Sequence, residues 1–256
     1  MRKFFREHPI IFAIFILFLS RIVGLGVAYV IKVFLPDLNP IKDLGWLIQI
    51  LFAITTLVLV YWSGDAKGLG FMKPVSKKEW LLWIPTLIIP ILIVLTLGFN
   101  VSEFSKAGVL AITALCVAIN EEVIFRGALV KGFLRFGTTV TIFVPAVLFG
   151  IIHLGNIFGG ADITFSVYQA GWAIAAGIAY TALRLRNQSI YPLIVFHFIL
   201  DYTEYLSTGE NGVHQTGFST RALVIGLIVS VLFAIYALVL FKMSKKTIIT
   251  EMSIES

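Results

Sequence analysis

The chain has 256 residues, of which 59% are hydrophobic and 13% are charged, whereas soluble domains carry about 25% charged residues. The net charge of +6 raises nucleic acid as a partner, but no basic face is interleaved with aromatic residues. We therefore expect a multi-pass protein of the cell membrane that contacts membrane lipids and binds no nucleic acid. The single cysteine, Cys116, excludes an internal disulfide and any metal site built from several cysteines.

Apolar runs of about 20 residues can each cross a bilayer as one helix. Eight such runs follow one another with short polar or glycine-containing connections. This pattern predicts an all-α protein with eight transmembrane helices in a single domain, 1–256. The first run is longer than the about 7–15 apolar residues of a signal peptide, so we expect it to be retained. The predicted spans are 9–34, 44–62, 80–99, 107–131, 139–157, 163–183, 189–207 and 220–241.

Lys and Arg residues are distributed unevenly between alternate connections. Most of the 20 fall in the N-terminal segment, in every second connection and in the C-terminal segment. By the positive-inside rule, this distribution predicts that the N-terminus and the C-terminus are both cytoplasmic. Four tryptophans fall near predicted span ends, where their side chains favour the membrane interface. They are Trp46, Trp62, Trp80 and Trp83.

Arg21 lies near the middle of the first predicted span. A charge at that depth costs roughly 2.5–3.5 kcal/mol on insertion scales, so it requires an explanation. Two interpretations are open at this point. Arg21 either bonds a neighbouring carbonyl or extends to the interface, or it pairs with a buried carboxylate.

The fourth predicted span carries two carboxylates and a guanidinium within six residues, at Glu121, Glu122 and Arg126. Residues four apart share one face of a helix, so Glu122 and Arg126 can form an ion pair. Glu121 is turned by about 100° and points elsewhere. A structural ion pair therefore explains one carboxylate and leaves the other available for chemistry.

Two later spans contain a histidine with a partner one helical turn away. Phe149 precedes His153 by four residues, and His197 precedes Asp201 by four residues, so the members of each pair share a helix face. Flanking charges place Glu121 and His197 near the middle of their spans and His153 slightly outward. These depths agree to within about one turn, or 5 Å, so the three side chains can meet. A histidine in a membrane helix can also serve packing alone.

A carboxylate and two imidazoles in a buried cavity support two mechanisms of hydrolysis. In the first, Glu121 is a general base for a water that His153 orients, while His197 and Asp201 stabilise the oxyanion. In the second, Glu121, His153 and His197 bind a zinc ion that keeps an open coordination position. Both mechanisms lead to hydrolysis of an amide bond.

Three motifs, taken together and in this order, resemble those of the CPBP family of intramembrane endopeptidases. This family groups type II CaaX prenyl proteases with bacteriocin-processing and bacteriocin-immunity proteins. The resemblance covers approximately 105–205 closely, and the rest of the chain by architecture. The motifs are Glu121-Glu122-x-x-x-Arg126, Phe149-x-x-x-His153 and His197-x-x-x-Asp201.

The resemblance implies an endopeptidase with a cavity that opens toward the cytoplasm and receives a peptide or a protein, lipidated or not. It implies that Glu121 and His153 activate water and that His197 and Asp201 form the oxyanion site. The ion pair of the fourth span would hold that helix in place. We expect a mechanism without a cofactor, because no further carboxylate or cysteine is clearly supplied to complete a tight zinc site.

Asp201 stands where prenyl-processing members of the family carry Asn. The substrate class is therefore open between CaaX-type C-terminal processing and the maturation of a bacteriocin or pheromone peptide. The alternative function is that of a non-catalytic membrane regulator or a bacteriocin self-immunity protein that retains the protease fold.

Overall fold

The computed structural model describes residues 1–101, 103–209 and 220–243. Within these ranges the chain is all-α, with eight long helices and two short ones at Arg2–Glu7 and Pro40–Asp43. The residues after Met243, which include the predicted cytoplasmic C-terminus, lie outside the described residues. The long helices are α1 Pro9–Phe34, α2 Gly45–Ser63, α3 Lys77–Leu97, α4 Phe104–Phe136, α5 Thr138–Phe158, α6 Ile163–Asn187, α7 Tyr191–Thr208 and α8 Thr220–Met243.

Six of these helices, α1 to α5 and α8, are long and apolar enough to cross a membrane. The structure therefore indicates a multi-pass membrane protein. The other two, α6 and α7, coincide with predicted spans but carry more polar and charged side chains. Helix α6 packs along both α5 and α8, and many of its residues are buried. A helix enclosed in this way needs less apolar surface than one that faces lipid.

Helix α7 extends from one end of the bundle to the other. At its start, Ile190 N–H donates to Gly70 O in the α2–α3 loop at 2.8 Å. Near its end, Asn100 N–H, from the α3–α4 connection, donates to Leu206 O at 2.8 Å. The α6–α7 turn thus lies at the same level as the α2–α3 loop, and the end of α7 lies at the level of the opposite loop.

Helices α5 and α6 approach closely where both have small residues. A Cβ atom at Gly150 would lie 2.6 Å from Ala170 O, and one at Gly177 would lie 2.9 Å from the Ala146 Cβ. Small residues allow membrane helices to pack with their backbones in near contact. This contact holds the part of α5 that leads to His153 directly against α6.

Helix α4 changes its hydrogen-bond pattern directly after the two glutamates. The segment Val123–Leu129 is a π-helix in which every residue is buried. Such segments are wider than an α-helix and occur frequently at functional sites. A Cβ atom at Gly127 would lie 3.2 Å from Leu69 O, so this glycine allows the α2–α3 loop to pack closely against the π-helix.

Trp83 differs from the expectation that it lies at the membrane interface. Its side chain is fully buried, stacks on Phe196 with a centroid distance of 5.6 Å and meets Tyr180 edge-on at 5.1 Å. The reason is that α3 begins with a 3-10 segment, Lys77–Leu87, which packs against α7. Trp83 therefore belongs to the core of the bundle.

We expect Gly150→Ala to destabilise the protein, because the new methyl group would collide with the backbone of α6. Overpacking of this kind costs about 1–3 kcal/mol, which thermal unfolding in detergent would detect as a lower midpoint. The matched control is Gly171→Ala, whose Cβ would lie 3.7 Å from its nearest neighbour, Leu227 Cδ1. An equal effect of both substitutions would contradict the close packing of α5 on α6.

Candidate active site

The Glu122 carboxylate joins α4 to α7 at the centre of a buried polar cluster. Its Oε1 atom accepts a hydrogen bond from Arg126 Nη1 at 2.9 Å and lies 2.7 Å from His197 Nδ1. All three side chains are buried. The predicted ion pair within α4 is therefore confirmed. The bond to α7 is additional, and spacing along one helix could not reveal it.

This bond determines how the His197 ring is oriented. A carboxylate that is paired with a guanidinium acts only as an acceptor, so His197 Nδ1 carries the hydrogen. The other nitrogen, Nε2, lies 3.5 Å from Asp201 Oδ2 and 3.7 Å from Glu121 Oε2. His197 and Asp201 therefore share a helix face, as predicted, and Glu121 approaches the same nitrogen from α4. Three carboxylates surround this imidazole.

His153 is fixed by its own helix. Its Nδ1 atom lies 2.7 Å from Phe149 O, and a carbonyl can only accept, so the ring presents Nε2 as an acceptor. The His153 and Phe149 rings are edge-to-face with their centroids 4.6 Å apart. The Phe149 ring in turn lies 4.0 Å from the Arg126 guanidinium carbon and 6.3 Å from the His197 ring. Phe149 thus packs between the two histidines and the ion pair.

Five of the six predicted site residues line one cavity of about 50 Å³, which is large enough for a water molecule. Glu121 does not line the cavity, but its carboxylate lies beside His197, which does. With 22% of its side chain exposed, Glu121 is more accessible than Glu122 or Asp201. The wall contains Glu122, Arg126, His153, His197 and Asp201, together with Gln169, Tyr180 and Glu204 among others.

Arg21 and Asn120 extend the cluster beyond the motifs. Arg21 Nη1 donates to Asn120 Oδ1 at 2.7 Å, so the arginine of α1 is bound to the residue that precedes Glu121. This agrees with the interpretation that Arg21 bonds a neighbouring carbonyl, which here belongs to a side chain. The sequence signal was available, since Asn120 is a polar residue inside an apolar run. Gln169 and Tyr180 gave no comparable signal.

The arrangement does not fit the zinc alternative. A tetrahedral site requires its nitrogen and oxygen ligands to lie about 2.0–2.2 Å from one point. In the described ranges, no group of three His, Cys, Asp or Glu side chains is placed to hold a metal ion. The mechanism proposed below is therefore derived without a metal.

Comparison with known families identifies the class of the segment that carries these residues. Residues 103–203 match the model of the family described as type II CAAX prenyl endopeptidase Rce1-like. Residues 103–203 therefore form an Rce1-like domain, as the three motifs predicted. The matched segment begins just before α4, ends within α7 and includes all six predicted site residues. No curated protein and no solved structure matches the chain significantly.

We expect Arg126→Met to destabilise the protein by about 3–5 kcal/mol, because it leaves the Glu122 charge buried without its guanidinium. Glu122→Gln combined with Arg126→Met should recover much of this loss, since no uncompensated charge then remains. Unfolding in denaturing detergent measures both effects.

The matched control is Lys131→Met, which breaks a partly exposed ion pair with Asp65 and should cost less than about 1 kcal/mol. If Arg126→Met costs no more than this control, the Glu122 carboxylate does not need its guanidinium.

Proposed function

We propose that the chain is an intramembrane endopeptidase that hydrolyses a peptide bond in a membrane-associated peptide or protein. One observation carries this proposal: two histidines and Asp201 line a cavity of the size of a water molecule within an Rce1-like domain. Glu121 approaches the same group through His197 Nε2. Hydrolysis requires a base, an orienting group and an oxyanion donor, and this set of residues supplies a candidate for each.

Glu121 is the candidate for the general base. Glu122 is ion-paired with Arg126 and bonded to His197 through its Oε1 atom, so its charge is committed to holding α4 against α7. Glu121 contacts His197 only at 3.7 Å and retains its capacity as an acceptor. His153, whose Nε2 acts as an acceptor, would orient the same water through its second hydrogen.

His197 is the candidate for the oxyanion donor. Its Nδ1–H bonds Glu122, so donation from Nε2 requires a second hydrogen on the ring. Asp201 and Glu121 face Nε2 at 3.5 and 3.7 Å and favour this imidazolium form. The water oxygen then attacks the carbonyl carbon, Glu121 takes the proton, and His197 Nε2–H stabilises the oxyanion. When the C–N bond breaks, Glu121 returns the proton to the leaving amine.

The proposed substrates follow from the family and from Asp201. The matched family is described by its action on CAAX prenyl proteins, so a lipidated C-terminus is one candidate class. The carboxylate at position 201 keeps the maturation of a bacteriocin or pheromone peptide as the other. Both substrates are associated with the membrane and would enter the cavity from its expected cytoplasmic opening.

The direct test is cleavage by the purified protein in liposomes, with mass spectrometry of the products. The substrates are a prenylated CaaX peptide, its unprenylated form and a bacteriocin-type precursor peptide. Glu121→Gln, His153→Ala and His197→Ala should each abolish cleavage. They remove the general base, the group that orients the water and the oxyanion donor, respectively. Glu122→Gln should reduce the rate without abolishing it, since the amide can still bond His197.

Full activity in Glu121→Gln would eliminate Glu121 as the base. A metal chelator should leave the rate unchanged under the proposed mechanism, and loss that zinc restores would require the second mechanism instead. If wild type cleaves nothing and the three variants complement a deletion strain as well as wild type does, the protein is a non-catalytic regulator or an immunity protein.

We further propose that all eight helices cross the cell membrane, with both termini in the cytoplasm. The support is that the α6–α7 turn and the α2–α3 loop lie at one end of the bundle, which carries many basic residues. Arg186, near the end of α6, forms a bidentate ion pair with Glu79 at 2.8 and 3.0 Å. If α6 and α7 did not cross, their connecting turn would belong on the opposite side from the α2–α3 loop.

Cysteine labelling tests this topology. In a Cys116→Ala background, Gln188→Cys and Lys73→Cys should react with an impermeant maleimide only after the cells are permeabilised. Asp37→Cys, in the α1–α2 connection, should react in intact cells. Labelling of Gln188→Cys in intact cells would reduce the number of spans to six.

A further inference from the structure

We propose that Arg21 is a positioning residue for Glu121 and that it acts through Asn120. This inference rests on the proposed function, in which Glu121 accepts the proton of the hydrolytic water. It adds helix α1, which lies outside the family-matched segment 103–203, to the residues on which catalysis depends.

The Arg21 guanidinium is held on several sides. Its Nη1 atom donates to Asn120 Oδ1 at 2.7 Å and to Ser20 Oγ at 3.2 Å. Its carbon atom lies 4.2 Å from the centre of the Phe52 ring of α2, at which distance cation–π attraction is favourable. The side chain therefore bridges α1, α2 and α4.

Asn120 uses both ends of its amide in this bridge. The oxygen accepts from Arg21, and Nδ2 donates to Thr56 Oγ1 of α2 at 2.6 Å. Both Asn120 and Thr56 are buried. Any rotation of α4 about its axis at this point would break both hydrogen bonds, so the orientation of the helix is fixed here.

This orientation sets the direction of Glu121. The next residue of an α-helix is turned by about 100°, so fixing Asn120 fixes the azimuth at which Glu121 leaves the helix. Regular α-helical bonding ends immediately afterwards, because the π-helix begins at Val123. Glu121 thus lies between Asn120, held by Arg21, and Glu122, held by Arg126 and His197.

Packing alone does not explain a charged residue at this position. A charge inside a membrane costs roughly 2.5–3.5 kcal/mol on insertion scales, and an apolar side chain could fill the same space without that cost. An arginine offers several donors in a rigid plane, which lets it bond Asn120 and Ser20 while it stacks on Phe52. That combination suits a residue that must hold a neighbouring side chain in one place.

The kinetic test compares Arg21→Met, Asn120→Leu and the double variant in the liposome assay. Displacement of a catalytic group by about 1 Å costs up to about 100-fold, so we expect kcat to fall by about 10- to 100-fold. KM should stay within about threefold, because substrate binding is not affected. The double variant should be no slower than the slower single variant, since both substitutions remove the same Arg21–Asn120 hydrogen bond.

Arg21→Lys should keep activity within about tenfold of wild type, because an ammonium can still donate to Asn120. The matched control is Lys32→Met on the same helix, whose ammonium bonds Pro36 O and Leu38 O far from the site, and it should leave kcat unchanged. The inference is overturned if Arg21→Met changes KM alone, or if its loss of activity equals its loss of folded protein. It is also overturned if the losses of the two single variants simply multiply.

A second readout needs no substrate. In ¹⁵N-histidine spectra, Arg21→Met should shift the His197 ring resonances, because Glu121 then moves relative to Nε2, whereas Lys32→Met should not. Unchanged His197 resonances would overturn the inference. Failure of the proposed function looks different, since wild type would then cleave none of the substrates, or Glu121→Gln would remain active, whatever Arg21→Met does to the His197 resonances.

Discussion

The structure depends on keeping the Glu122 carboxylate buried and compensated. A charge that is removed from both water and lipid headgroups is tolerated only when hydrogen bonds and opposite charge surround it. Arg126 provides both from the following turn of α4, and His197 adds a second hydrogen bond from α7. Because the same oxygen atom accepts both bonds, α4 and α7 have a single relative register. That register brings Glu121 and Asp201 to the same nitrogen of His197 and thereby defines the site.

The sequence predicted well what depends on hydropathy and on short helical spacing. Each of the eight apolar runs is a helix, and the pairs Glu122 with Arg126, Phe149 with His153, and His197 with Asp201 are all in contact. Contacts between residues far apart in the sequence could not be predicted from hydropathy or helical spacing. The bond from Glu122 to His197 and the bond from Arg21 to Asn120 depend on how helices are rotated against each other, which no single helix records. Spacing indicated only that the clusters lie at similar depth.

Two further features were missed for a local reason. The π-helix Val123–Leu129 has no distinctive composition, and only the tertiary packing of the buried segment selects it over a regular helix. Trp83 carried the signature of an interfacial residue, but the 3-10 start of α3 turns it into the core. In both cases tertiary packing overrides a propensity that is weak in itself. The roles of Gln169 and Tyr180 in the cavity wall are likewise visible only once α6 is in place.

The π-helix also has a mechanical consequence for α4. Each residue in it bonds five positions along the chain instead of four, so the helix is wider at this point and the residues after Leu129 are rotated relative to their positions in a regular α-helix. The half before Glu122 packs against α1, α2 and α7, and the half after Leu129 packs against α1, α5 and the α2–α3 loop. A disturbance at the C-terminal end of α4, such as bilayer thinning around its last turns, would therefore meet the wider turns of the π-helix before it reaches the acidic pair, which lies on their other side.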